Sequence, residues 1–174
     1  MILGYNRRFD IRSFDSDILD NCYRQYQYID QSNNLEYSID FSEPIPNMVQ
    51  RLRAEHRDFR IELIKIEDAS EVSSQKAIEM LKKLKKPILQ HIVEEEARIM
   101  RIIVQKAKEQ SEQSIKILQD HKVIINFLEK RLPQLEASPQ DIVDDVIKFG
   151  DEMRKHFSEE EDIVFPLVLK ADSM

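Results

Sequence analysis

The sequence predicts an all-α fold, an antiparallel up-down-up-down four-helix bundle, and three observations carry that reading. Glycine occurs only twice while charged residues make up 34% of the 174-residue chain, a balance that suits helices better than turn-rich sheets. From residue 47 onward apolar residues recur at alternating intervals of three and four, the seam of helices packed side by side. Three short stretches rich in polar residues or proline interrupt that rhythm, and short connections make consecutive helices antiparallel neighbours.

Residues 1–46 form a separate N-terminal arm, which holds all five tyrosines and three of the eight phenylalanines. Within it Ile18, Cys22, Tyr26 and Ile29 trace a short amphipathic helix, and Leu35, Tyr37, Ile39 and Phe41 alternate as a half-buried strand does. So many aromatics point to an arm packed on the bundle; Cys22, Tyr23, Tyr26 and Tyr28 are read as packing residues. The arm ends in "SEPIPN", whose prolines delay the first helix until Asn47, an N-cap with Gln50 three residues on.

The bundle then occupies residues 47–171. Its first segment carries Val49, Leu52, His56, Phe59, Leu63 and Ile66 on one face. "DASEVSS" (68–74) ends it. The second carries Leu84, Ile88, His91, Glu95, Ile99 and Ile102, with Pro87 either kinking it or marking a late start. A weaker break follows near "KEQS" (108–111). The third carries Leu118, His121, Ile125, Leu128 and Leu132, and "PQLEASPQ" (133–140) closes it. The fourth runs through Ile142, Val146, Phe149, Met153, His156, Glu160, Ile163 and Leu167.

Charge and composition narrow the function. A net charge of −7 disfavours nucleic acid and anionic membrane as partners. A lone cysteine excludes an intrachain disulfide framework and leans to a reducing compartment. No run approaches the roughly 20 apolar residues a membrane span needs, so the expectation is a soluble, cytoplasmic protein.

The four histidines of the chain, His56, His91, His121 and His156, fall one to each segment, and all four lie on the apolar seam. Midpoints between successive histidines lie near residues 73–74, 106 and 138–139, close to the three breaks, so antiparallel helices bring the four imidazoles to one level. His91 and His156 each have a carboxylate one turn later, Glu95 and Glu160, on the same helix face. Unpaired, such groups cost several kcal/mol each to bury. Imidazole nitrogen suits iron, zinc and copper, and a carboxylate bridges two ions through its two oxygens. These six residues therefore form a candidate metal site with room for two ions. The flanking Glu94, Glu96, Glu159 and Glu161 read as solvated, with Glu94 a candidate extra or supporting ligand. The basic "KKLKK" (82–86) reads as a solvated face, and Phe59, Phe149 and Met153 as core.

The ordered set His56, "HIVEE" (91–95), His121 and "HFSEE" (156–160), followed by "DIVFP" (162–166), resembles the hemerythrin-like, or HHE cation-binding, family over roughly residues 47–171. The resemblance implies a four-helix bundle around a non-haem di-iron centre, with Glu95 and Glu160 bridging and the histidines as terminal ligands. It further implies a small ligand: oxygen, nitric oxide or peroxide, bound for sensing, scavenging or iron-centre repair. The chain departs from the family's oxygen carriers, which place a second histidine where Ile125 stands and an aspartate one residue further along the last helix than Glu160. It has no histidine between His56 and His91, where repair-type members have one, and no Phe-Pro after Glu95. Six ligands result rather than seven. An alternative keeps the metal, a single iron or zinc ion included, as a staple in a regulatory module whose arm meets a protein partner. A third reading is a metal-free bundle with a polar layer in its core.

Overall fold

The computed structural model describes residues 37, 39–106, 111–139 and 142–173. The chain divides into two units, Met1–Tyr37 and Ser38–Met174, and every described helix lies in the second. Most of the N-terminal arm, including the helix expected through Ile18 to Ile29 and Cys22 itself, falls outside the described residues. Its described end is not a strand: Tyr37 and Ile39 are irregular and half-buried, Phe41 sits in a turn 52% exposed, and the Asp40 carboxylate accepts from the Ser42 N–H at 2.8 Å.

Four rods follow. The first is α1 (Ile45–Val72). The second joins α2 (Ser74–Glu94) and α3 (Arg101–Lys106) through a π turn, Glu95–Met100. The third joins α4 (Ser111–Asn126) and α5 (Leu132–Ala137) through the π turn Phe127–Arg131. The fourth joins α6 (Ile142–Glu159) and α7 (Phe165–Asp172) through the π turn Glu160–Val164. Among the described residues there is no strand, and no helix is long and apolar enough to cross a membrane.

Helix ends follow local chemistry, with two departures from expectation. The first rod starts at Ile45 rather than after Asn47, with Pro44 as N-cap and Pro46 inside the first turn. Proline fits there because the first helical N–H groups have no partner to lose. Ser73 separates the first two rods: its N–H bonds Ala69 O at 2.8 Å, and its hydroxyl accepts from the Lys76 N–H, capping α2. Pro87 lies inside α2, so no late start occurs. Pro133 likewise lies within the third rod, which runs on to Ala137. The expected break at 108–111 falls largely outside the described residues.

One apolar cluster shows the alternating direction of the rods. It gathers Ile45, Met48, Val49 and Leu52 from the start of the first rod, and Ile99, Met100 and Ile103 from the end of the second. Ile117 joins it from the start of the third rod, and Val164, Phe165 and Val168 from the end of the fourth. Starts meet ends only if neighbours run antiparallel. Toward the other end, ion pairs Lys85–Glu129, Arg131–Asp145 and Arg154–Glu67 tie the second rod to the third, the third to the fourth and the fourth to the first.

The seams match expectation over Val49, Leu52, His56, Phe59, Leu63 and Ile66, all buried. They slip beyond Glu95 and Glu160, where Ile103 and Val164 are fully buried, Ile102 is only half-buried and Ile163 is 45% exposed. A π turn carries an extra residue, which rotates the face presented beyond it. In the third rod Ile117 and Ile124 face inward instead of Leu118 and Ile125. Both are adjacent apolar pairs, from which either member could have supplied the seam.

Candidate metal centre

Each rod sends its histidine inward at mid-height, and all six expected site residues converge. His56, Glu95, His121 and Glu160 have no exposed surface, and His91 and His156 show 2%. Glu95 and Glu160 are the first residues of their π turns, so the wider helical turn begins where the carboxylates point inward.

Ligating atoms from these residues form two groups. His56, His91, Glu95 and Glu160 make one; Glu95, His121, His156 and Glu160 make the other; within each group the atoms lie within 4.8 Å of one another. Both glutamates belong to both groups. Glu95 Oε1 stands 3.1 Å from His91 Nε2, while its Oε2 is 3.4 Å from His121 Nε2. Glu160 Oε2 lies 3.4 Å from His56 Nε2 and 3.3 Å from His156 Nε2, and its Oε1 is 3.7 Å from His121 Nε2. An ion about 2.1 Å from nitrogen and oxygen ligands spaces them about 3.4 Å apart across a tetrahedral edge. The cage has that size.

The hydrogen-bond account confirms that protein alone does not satisfy these atoms. Both oxygens of Glu95, both of Glu160, His121 Nε2 and both nitrogens of His156 are buried without a hydrogen-bond partner. Such orphans are rare in native interiors and call for a missing partner. The donor set of imidazole nitrogen and carboxylate oxygen fits a divalent first-row ion.

Three imidazoles turn Nδ1 outward onto a carboxylate. His56 Nδ1–H donates to Glu161 Oε1 at 2.9 Å, His91 Nδ1–H to Glu55 Oε2 at 2.7 Å, and His121 Nδ1–H to Glu96 Oε1 at 3.0 Å. A carboxylate only accepts, so these bonds place the hydrogen on Nδ1 and leave Nε2 free to ligate. Among the described residues, the carboxylate facing His156 Nδ1 is Asp120, whose Oδ2 lies 3.9 Å away. The supports run in a circuit: the fourth rod serves the first, the first the second, the second the third, and the third faces the fourth.

This outer set was not recognised in the sequence. Glu96 and Glu161, which the sequence alone presents as solvated, are partly buried and bonded to His121 and His56. Glu94 pairs with Arg51 at 2.5 Å, and Glu159 with Lys116. Glu55 and Asp120 were not singled out at all. A signal was present: in every rod at least one acidic residue sits directly beside a converging residue, and those that face a histidine of the next rod are at 55, 96, 120 and 161. A neighbouring position points about 100° around the helix, toward the adjacent rod.

Without a metal the cage is an ion-pair cluster. Burial disfavours charge on His91, but Glu95 and Glu55 outweigh it and lift its pKa to about 10. Burial opposes charging His56 and His121 too, and the glutamates again prevail: Glu160 and Glu95 raise His56, and Glu160, Glu95 and Glu96 raise His121 strongly. Conversely, burial pushes Glu95 up, but His91, His121 and His56 hold it well below the carboxylate range. Glu160 is lowered more modestly, because burial and the neighbouring Glu95 charge both resist ionisation. His56 Nε2 and His91 Nε2 approach to 2.9 Å, a contact that needs a proton between them or a cation beside them.

Apolar rings wall the cage. The His56 ring stacks on Phe157 at 4.2 Å and Phe165 at 5.5 Å between centroids, and Phe59 meets His91 edge-on at 5.4 Å.

Comparison with known proteins agrees with this geometry. The family model of the hemerythrin HHE cation-binding domain matches residues 47–168, a span that contains all six converging side chains. No curated protein and no solved structure matches significantly. Four level histidines with two shared glutamates, inside a span covering well over half the chain, place this protein in the hemerythrin HHE cation-binding family.

Proposed function

We propose that this protein is a non-haem di-iron protein that binds a small ligand (oxygen, nitric oxide or peroxide) for sensing, scavenging or iron-centre repair. The observation that carries the reading is the pair of four-residue groups sharing both carboxylates. In this reading His56 and His91 would hold one ion and His121 and His156 the other, with Glu95 and Glu160 contributing to both groups. Iron bound in this way supplies reversible redox change and vacant coordination positions for a diatomic molecule. The protein's share is separate. The outer carboxylates hold the imidazoles with Nε2 presented inward, and Phe59, Phe157 and Phe165 keep the surroundings dry. Complete burial of the ligands favours a small partner over a bulky substrate.

The test is metal analysis of protein produced with ample iron, followed by anaerobic reduction and exposure to oxygen or nitric oxide. Close to two irons per chain and a changed visible spectrum are expected. A metal-stapled module predicts bound metal with a spectrum indifferent to either gas. Protein that carries no iron after such growth overturns the di-iron reading.

A further inference from the structure

The two halves of the cage are braced unequally. His56 is closely held: its ring stacks on Phe157 and on Phe165, and its Nδ1 bonds Glu161. Glu161 is itself pinned, since Arg60 donates to its carboxylate at 2.7 Å and Arg53 to its backbone oxygen at 2.9 Å. His91 is held through a similar chain. Its Nδ1 bonds Glu55; Arg51 bonds Glu55 at 2.7 Å; Glu43 and Glu94 fix Arg51 in turn.

The opposite half is looser. His121 bonds Glu96, but among the described residues neither nitrogen of the buried His156 has a hydrogen-bond partner. The residue that should support it, Asp120, lies with its Oδ2 3.9 Å from His156 Nδ1, just beyond hydrogen-bond reach. The other three supports are glutamates; the fourth is an aspartate, one methylene shorter, and the gap opens there.

We propose that the His56–His91 position takes its ion first and tightly, whereas the His121–His156 position fills second and exchanges its ion, with His156 as the yielding ligand. The proposal rests on the metal-binding reading above. The physical ground is pre-organisation. A ligand imidazole already fixed in tautomer and orientation loses little freedom on binding, and loss of such an outer partner typically costs about 10–100-fold in metal affinity. A ring without that partner must be ordered at the moment of binding.

Cobalt(II) titration of the chelator-stripped full chain, followed by its visible absorption bands, tests this. Two steps are expected, the first at least about tenfold tighter than the second. His156→Ala should abolish the second step and keep the first, whereas His91→Ala should lose the tight step. Asp120→Glu, at a partly exposed position that tolerates the longer side chain, should draw the second step toward the first and slow release of the second ion to a chelator. Two indistinguishable steps in the unaltered protein, a tight step lost in His156→Ala, or an Asp120→Glu chain whose second ion behaves as before would each overturn the inequality. Binding of no cobalt at all would overturn the metal reading itself.

Discussion

Glu95 and Glu160 show how much a buried side chain depends on its company. Each is fully buried with both oxygens lacking a hydrogen-bond partner among the described residues, and each is held below the ordinary carboxylate range by neighbouring imidazoles, while His56, His91 and His121 are raised in return. Such a cluster is poor material for stability, because the desolvation of several ions offsets their attraction. Replacing His91 and Glu95 together by leucine should therefore leave a folded bundle, as stable as the metal-free parent or more stable by about 1–4 kcal/mol. The same change should remove metal binding. Denaturant unfolding in chelator and metal analysis of the same preparation check both halves; a bundle that fails to fold would show that the polar layer is itself structural. The convergence of the six side chains was legible from their seam positions and spacing. Their supports were not, because acidic residues beside a ligand look like any charged helix surface until the adjacent rod is in place.

At the scale of the elements, the rods were legible and their faces only partly so. The run from Val49 to Ile66 keeps one phase and was read correctly to the residue. The faces beyond Glu95 and Glu160 were not, since a π turn leaves no periodic mark before it occurs. Two of the three π turns have a chemical clue: Pro133 and Pro166 stand in the first turn of the helices that follow. Proline has no N–H to give and crowds the carbonyl four residues back, so a wider preceding turn relieves it. The freed carbonyls find other partners, as Glu161 O does with Arg53. Gly150 tests the packing of α6 against α1. An added Cβ would come 2.0 Å from Glu67 Oε1, the movable end of a side chain that pairs with Arg154. Gly150→Ala should gain about 0.5–1 kcal/mol of helix preference and give back up to about 1 kcal/mol in the disturbed ion pair, a near-neutral sum. In a Glu67→Ala background the gain should appear alone. A double-mutant cycle by chemical denaturation measures the difference.

For the whole molecule, metal and fold are coupled with a definite pH dependence. The raised pKa of His91 contributes stability to the stripped protein that is complete below about pH 6.5 and is lost as pH rises through about 10. The lowered pKa values of Glu95 and Glu160 contribute stability present above about pH 4.5 and lost as pH falls. The stripped bundle is thus steadiest between these limits and weakens toward pH 9. Metal binding runs the other way, because it needs neutral imidazoles and strengthens as protons leave. At a free metal concentration a hundredfold above Kd, loading adds about 2.7 kcal/mol. Stripping the ions with chelator should therefore lower the melting temperature, and by more at pH 9 than at pH 6. Calorimetry at the two pH values decides it; an equal drop at both would show that the imidazoles do not exchange protons for metal.

The circuit of outer carboxylates reaches beyond binding. Glu161 bonds His56 of α1, Glu55 bonds His91 of α2, and Glu96 bonds His121 of α4, so part of what orients each of these imidazoles is written on a different helix. Inherited change at one such position is then felt across a helix boundary, and the pairs 161 with 56, 55 with 91, and 96 with 121 should co-vary among descendants of a common ancestral chain, whereas 120 with 156 is free to drift.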